Sequence, residues 1–313
     1  MSSLMTNTSA MTALQTLRTV SSNLATTQNR ISTGFRVATA SDNSAYWSIA
    51  TTMRSDNEAL SAVSDALGLG AATVDTMYTA LTSVVGDSKG GLTALKAKLV
   101  AAREPGVDRI KIQAEISAIQ DDLSNTAGLA VFNGENWLSV NSGAVGFNAT
   151  KSVVSSFSRV GGTVAIKTID VDINALKLYD PAGGVAAGIM DKSRTVGATT
   201  AAVATLNISA LTDSAADLQT LEDYVSIVDQ ALGNVTQASA DLGAVKTRID
   251  SNSNFIKSLR DAIDRGVGQL VDADMNAEST RLQALQVQQQ LGIQALSIAN
   301  SGSQSILSLF RGN

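Results

Sequence analysis

The 313-residue chain contains no cysteine and no histidine. Those two absences remove disulfides, zinc–cysteine centres, thiol nucleophiles and imidazole bases together. Only two prolines, Pro105 and Pro181, interrupt it, and aromatic residues make up 4%. A core built on large rings is thereby excluded, and the small and aliphatic side chains that remain suit close helix–helix packing. The formal net charge of −5 is the wrong sign for nucleic acid, which demands a basic face. Hydrocarbon is an equally poor partner, because the longest charge-free stretches are studded with Gln, Ser, Thr and Asn. The first 17 residues carry no positive charge and no continuous apolar run follows, so no cleaved signal peptide is expected.

Charge is unevenly placed. Residues 1–41 and 279–313 hold Arg18, Arg30, Arg36, Arg281 and Arg311 and no acid, whereas the residues between carry 18 basic and 28 acidic side chains. The two ends form one compositional class and the middle another.

Between Arg281 and Arg311 there is no charged residue and no proline. Turned at about 100° per residue, the apolar positions of this stretch separate onto two opposite faces. Leu282, Leu285, Ile293, Leu296, Leu307 and Phe310 share one stripe; Val287, Leu291, Ile298 and Leu309 share the other. A helix packed on one core needs a single stripe. Two stripes imply two partners, one a helix of the same chain and the other a second copy of the protein. The amino-terminal end shows a single stripe, Ala10, Leu14, Leu17, Leu24, Ile31 and Phe35, with heptad spacing from Leu17 to Ile31. These two ends are the natural partners of one another, with little to hold them in a free monomer, where they are expected to order only on association.

Gly34 breaks the first helix, and Ser41 or Asp42 is placed to cap the next. Ile49, Met53, Leu60, Val63, Leu67, Val74, Met77, Leu81 and Val84 predict a helix of about ten turns ending near Gly86–Gly91. Shorter helices are predicted from Leu92 to the Pro105–Gly106 turn and from Ile112 to Gly128. From roughly 130 to 210 the pattern changes, with glycine pairs at 161–162 and 183–184 and a strand alternation at Ile169, Val171 and Ile173. Apolar positions from Leu218 to Leu270 then keep three–four or seven spacing, with Asn252 on the seam as a register device. The fold class predicted is mainly α: a long antiparallel, coiled-coil-like helical bundle formed by both chain ends, with a small β-rich central insertion. Residues 1–40 and 273–313 make a terminal helical part, 41–139 and 207–272 a rod, and 140–206 an outer β-rich part.

Motifs of chemistry fail on inspection. Gly68-Leu-Gly70 sits inside helical periodicity with no strand before it, unlike a dinucleotide loop. Asp170-Val-Asp172-Ile-Asn174 and Asp272-Ala-Asp274-Met-Asn276 lack the later ligands of a calcium loop. No catalytic residue, metal site or cofactor is predicted. Tyr46 and Trp47 are expected to pack in a core near a helix start.

The two ends resemble the bacterial flagellins, subunits of the flagellar filament. The resemblance rests on Asn29-Arg30-Ile31-Ser32-Thr33-Gly34-Phe35-Arg36-Val37, Ser41-Asp42-Asn43, Ile112-Gln113-Ala114-Glu115-Ile116, Phe132-Asn133-Gly134, Asp272-Ala273-Asp274-Met275-Asn276-Ala277-Glu278 and Ile306-Leu307-Ser308-Leu309-Phe310. Asn43 and Tyr46-Trp47 depart from the family pattern. The family-motif positions are thus Arg30, Ser32, Gly34, Arg36, Asp42, Asn133, Gly134, Asp272, Asp274 and Glu278. Leu14, Leu17, Leu24, Ile31, Leu285, Leu291, Leu296, Ile298, Leu307 and Phe310 are the expected assembly surface. The resemblance implies a homopolymer, with sister flagellins as possible co-subunits, terminal helices lining a central channel, and an extracellular location. It also implies export through the flagellar secretion channel, with an export chaperone, a filament cap and hook-junction proteins as partners. A hook–filament junction protein shares such ends and is the alternative reading. A protease in the central insertion would need His-Glu-x-x-His, which a chain without histidine cannot supply. A soluble coiled-coil signalling protein would lack the matched, nearly acid-free ends.

Overall fold

The computed structural model of the chain describes residues 6–160, 163–182 and 187–311, with side chains described at all of these except 160 and 303–311. By their contacts the residues group into two compact units, Met1–Glu58 with Arg260–Asn313, and Ala59–Leu259.

The first unit holds α1 (Thr8–Thr33), the start of α2 (Ser44–Val85), the end of α6 (Ala215–Val271) and α7 (Met275–Arg311). The Asn7 side chain caps α1 by accepting the Ala10 N–H at 3.0 Å. The cap of α2 is neither Ser41 nor Asp42 but Asn43, whose Oδ1 accepts the Tyr46 N–H at 3.1 Å. A cap oxygen must reach an amide of the first turn, and with the helix starting at Ser44 only residue 43 is in reach. Asp42 turns back instead, its Oδ2 accepting the Ala38 and Thr39 N–H groups at 3.1 and 2.9 Å. The core of this unit is small: Val37, Ala50, Val267 and Val271, flanked by Phe35, Met53, Ile263 and Leu270. Ala50 takes the seam position expected of Ile49, which is exposed. Tyr46 and Trp47 are exposed as well, contrary to the core packing expected of them.

The second unit holds the rest of α2 and α6, the helices between them and the β-rich insertion. Within it α2 and α6 run antiparallel, tied by the Asp75–Lys246 ion pair and by Tyr78 lying against Gly243. Leu60, Val63, Leu67, Val74, Met77, Leu81 and Val84 of α2 are buried, as are Leu221, Val228, Val235, Leu242, Ile249 and Ile256 of α6. Their spacing is the three–four–seven pattern of the sequence. Asn252 is half-buried between the last two. α6 has 57 residues, about 86 Å of helix at 1.5 Å per residue. α3 (Gly91–Ala101) and α4 (Arg109–Leu129) complete the helical layer through Lys96–Asp229, Lys98–Glu115 and Arg103–Glu222. Arg109, 8% exposed, is held by Asp213 at 2.6 Å and by the Ala102 carbonyl at 3.0 Å.

The insertion pairs β1 (Thr150–Val160) antiparallel with β2 (Thr163–Asp172), with a bulge between Val154 and Ser156. Only Ile169 and Val171 of β2 are buried; Ile173 is buried too but opens α5 (Ile173–Leu176) rather than extending the strand. Asp172 caps that turn by accepting the Asn174 N–H at 2.9 Å, which is the structural role of the Asp-x-Asp-x-Asn stretch. β3 (Arg194–Val196) and β4 (Thr199–Ala201) form a second ribbon. The two glycine pairs lie outside the described residues. Gly70 is where β1 approaches α2, since a Cβ there would collide with Val153 Cγ1. Gln113 and Gln120 of α4 anchor the following chain by bonds to Ile208 N and Val203 O, each 2.8 Å. Among the described residues no cluster of metal-ligating side chains occurs, and no helix is long and apolar enough to cross a membrane.

Candidate assembly surface

α1 and α7 pack side by side and antiparallel, since Asn7 Nδ2 donates to Ala299 O at 2.9 Å and Arg30 Nη1 to Glu278 Oε1 at 3.1 Å at the opposite end. The α1 seam reads Ala10, Ala13, Leu17, Val20, Leu24, Thr27 and Ile31, all buried or half-buried. The α7 seam reads Glu278, Leu282, Leu285, Gln289, Gly292, Leu296 and Ala299, alternating by four and three. This is coiled-coil spacing, in which each knob faces the partner once per two turns. At Gly292 the helices come close, since a Cβ there would lie 2.9 Å from Leu17 Cδ1.

Leu17, Leu24, Ile31 and Leu296 are half-buried in this seam, and Leu285 is 7% exposed. Leu14 falls beside it and is exposed with Met11. Ile293, expected on the inner stripe, is exposed too; at about 100° per residue it lies about 60° round the helix from Leu296, at the flank of the seam. On the far side of α7, Leu291 is 57% and Ile298 72% exposed, with Val287 beside them. The side chains of Leu307, Leu309 and Phe310 lie outside the described residues. Val20, Thr27, Gln289 and Gly292 also belong to the seam, the last three hidden by their residue types. Strict three–four counting outward from Leu17 and Leu285 would have found them.

The motif residues concentrate where α1 ends and α7 begins. Gly34 takes φ 78° and donates its N–H to the Arg30 carbonyl, closing α1 in a left-handed cap. Its own carbonyl accepts the Ala273 N–H at 2.9 Å, and Phe35 bridges to Asp272. Arg36 donates its N–H to Val271 O at 2.7 Å and its guanidinium to Leu270 O at 3.0 Å. A cation thus sits on the last carbonyls of α6, where the helix dipole favours it. Asp274 caps α7 through the Asn276 and Ala277 N–H groups. Hydrogen bonds from Thr39, backbone first and then hydroxyl, hold the Asp42 carboxyl below its usual range. Ser32 is exposed. In the second unit, Asn133 and Gly134 both have positive φ and form the tight turn between Phe132 and Glu135, whose N–H and C=O groups exchange bonds at 2.9 and 3.0 Å.

The Arg30–Glu278 pair is the one ionic staple across the α1–α7 seam among the described residues, and Glu278 Oε2 is buried without a partner. Arg30→Met is expected to lower the stability of the helix pair by ~2 kcal/mol, because a carboxylate is left buried and unpaired. Urea titration followed by circular dichroism measures it, and Glu278→Met in the same background should restore much of the loss.

Two family models match the chain, the bacterial flagellin N-terminal helical region over residues 4–142 and the C-terminal helical region over 225–310. Flagellin C of Rhizobium meliloti (strain 1021) is 49% identical, covering 99% of this chain and all of the relative. The flagellin of Brucella melitensis biotype 1 is 44% identical with both chains covered in full. Flagellin A of Rhizobium meliloti is 43% identical over 99% of this chain and its own whole length. With both helical ends matched and the likeness carried through the insertion between them, the chain belongs to the bacterial flagellin family.

Proposed function

We propose that the chain polymerises through two faces of α7: the inner seam to α1 of its own subunit, and the outward stripe of Val287, Leu291 and Ile298 to neighbouring subunits. As a flagellin it is a structural subunit of the flagellar filament, the extracellular propeller of swimming motility. The observation that carries the two-face reading is the exposure of that outward stripe beside a packed seam on the same helix. Water is a poor environment for such side chains, and burying each stabilises the polymer by about 2 kcal/mol. Met11 and Leu14 extend the exposed apolar surface along α1.

In this reading residues 1–40 and 273–313 form the inner part of the filament, 41–139 and 207–272 the rod, and 140–206 the outer part. The subunit performs no catalysis: its mechanism is ordered burial, and rotation of the resulting screw produces thrust. Sister flagellins are candidate co-subunits, since Rhizobium meliloti relatives A and B resemble this chain as C does. Export proceeds through the flagellar secretion channel, with a chaperone before export and the cap and hook-junction proteins at the filament's ends. The junction-protein alternative draws no support from the relatives reported above, which are flagellins.

Limited proteolysis tests the reading. Among the described residues few side chains of α1 and α7 are buried in the single subunit: Val20 and Thr27 on α1, Glu278 and Leu285 on α7. Segments 1–40 and 275–313 should therefore be trimmed rapidly in dilute monomer and protected in sedimented filaments. Intact ends in monomer, or equal cleavage in both states, would sink it.

A further inference from the structure

Two arginines of the second unit are nearly equally buried, yet only one has a counter-ion. Arg109, 8% exposed, is paired with Asp213. Arg194, at the start of β3 and 7% exposed, donates through Nη1 to two carbonyls, Ile189 O at 2.8 Å and Lys192 O at 3.2 Å. Its Nη2 is buried with no hydrogen-bond partner, and no carboxylate lies within 4.0 Å of the guanidinium among the described residues. Residues 183–186 read Gly-Gly-Val-Ala and bring no carboxylate either. Burial lowers the pKa of this guanidinium. A buried cation without an anion is costly, and folded proteins almost always supply one.

Arg194 forms part of the wall of a cavity of about 360 Å³ between the α5–β3 segment and α6. Lys192 and the amides of Asn174, Asn234 and Gln237 share that wall. Lys177, also on it, is committed to Asp180 at 2.8 Å. The one carboxylate on the wall, Asp241, accepts a bond from Gln237 at 2.8 Å. We propose that this cavity binds a small oxyanion of the phosphate or carboxylate class, which serves as the missing counter-ion of Arg194. Its oxygens would accept from the Lys192 ammonium and the side-chain amides, with the Arg194 charge in the same wall. The donors are planar and ammonium nitrogens, which suit a tetrahedral or planar oxyanion better than a halide. The site lies wholly in the second unit and does not depend on the assembly surface.

The test uses the full chain as monomer, exchanged into sodium chloride at fixed ionic strength. Inorganic phosphate and acetate are added in separate arms, with chloride as the reference. Phosphate is expected to give saturable broadening of its ³¹P signal and to raise Tm by several degrees at saturation. A matching Tm rise with acetate would widen the class to carboxylates, and its absence would restrict it to phosphate. Arg194→Met should lose the response and, in chloride, melt no lower than the unsubstituted chain, whereas Arg109→Met should melt lower in every buffer. The proposal is overturned if neither anion produces a saturable response, if the response survives in Arg194→Met, or if Arg194→Met melts as low as Arg109→Met in chloride. Should Arg194→Met fail to fold, displacement of phosphate by sulfate on the unsubstituted chain decides, and an absence of competition rejects the site.

Discussion

Ile298→Asp is expected to abolish filament growth while leaving the free subunit unchanged. The side chain is 72% exposed and on the far side of α7 from the α1 seam. In the monomer the new carboxylate stays in water, and a surface change of this kind moves stability by no more than about 0.5 kcal/mol. In the filament the same position would be dry, where an unpaired charge costs several kcal/mol. Each 1.4 kcal/mol is a factor of ten in an association constant, so a cost of ~4 kcal/mol raises the critical concentration roughly a thousandfold. Leu296→Asp differs in kind, because Leu296 is half-buried against α1 in the single subunit. It should loosen the helix pair and block growth together. Sedimentation after seeding with native filament fragments, with circular dichroism of each monomer, separates the cases. Normal elongation of Ile298→Asp would mean that the outward stripe has no partner.

Asp180→Asn should produce the largest loss of stability in the second unit. Asp180 and Lys177 are 1% and 3% exposed and pair at 2.8 Å. Burial pushes the Asp180 carboxyl up, but bonds from Lys177, Ser142 and Ala182 outweigh it and bring the pKa to about 2. Removing the charge strands a buried ammonium, a loss of about 3–5 kcal/mol at neutral pH. The sign with pH follows from the depressed value. The contribution is complete above the ordinary carboxyl pKa of 3.8 and disappears as pH falls toward about 2. Melting curves of the two chains should therefore converge between pH 4 and 2. Asp191 runs the other way: burial raises its pKa, so acid relieves rather than removes a contribution. A difference between the chains that stays constant down to pH 2 would show that the charge of Asp180 is not what stabilises the fold.

The amino-acid sequence by itself determined the helices, their order and their partners. Apolar residues at three, four and seven along Leu60–Val84 and Leu221–Ile256 predict helices with that seam inside, and the structure buries the seam between the antiparallel α2 and α6. The pairing of the two ends was legible for the same reason, together with their shared lack of acids. Residues at the edges of elements were not. Asn43 rather than Asp42 caps α2, and Ala50 rather than Ile49 faces the small core, because one residue of helix phase turns a side chain by about 100°. Tyr46 and Trp47 are exposed for that reason too: residue type argued for burial, but nothing in the first turn of α2 is there to cover them.

Tertiary structure alone decided which of the outward apolar residues stay uncovered. Ile293 and Leu296 are three residues apart and equally apolar, yet Leu296 is half-buried in the seam and Ile293 is exposed, about 60° further round the helix. The junction that gathers Arg30, Gly34, Arg36, Asp272, Asp274 and Glu278 joins residues more than 230 positions apart through backbone bonds that carry no pattern of side chains. The unequal fates of Arg109 and Arg194 were likewise invisible: each stands near one Lys and one Asp in the sequence, and only the surrounding fold gives one a carboxylate and leaves the other without.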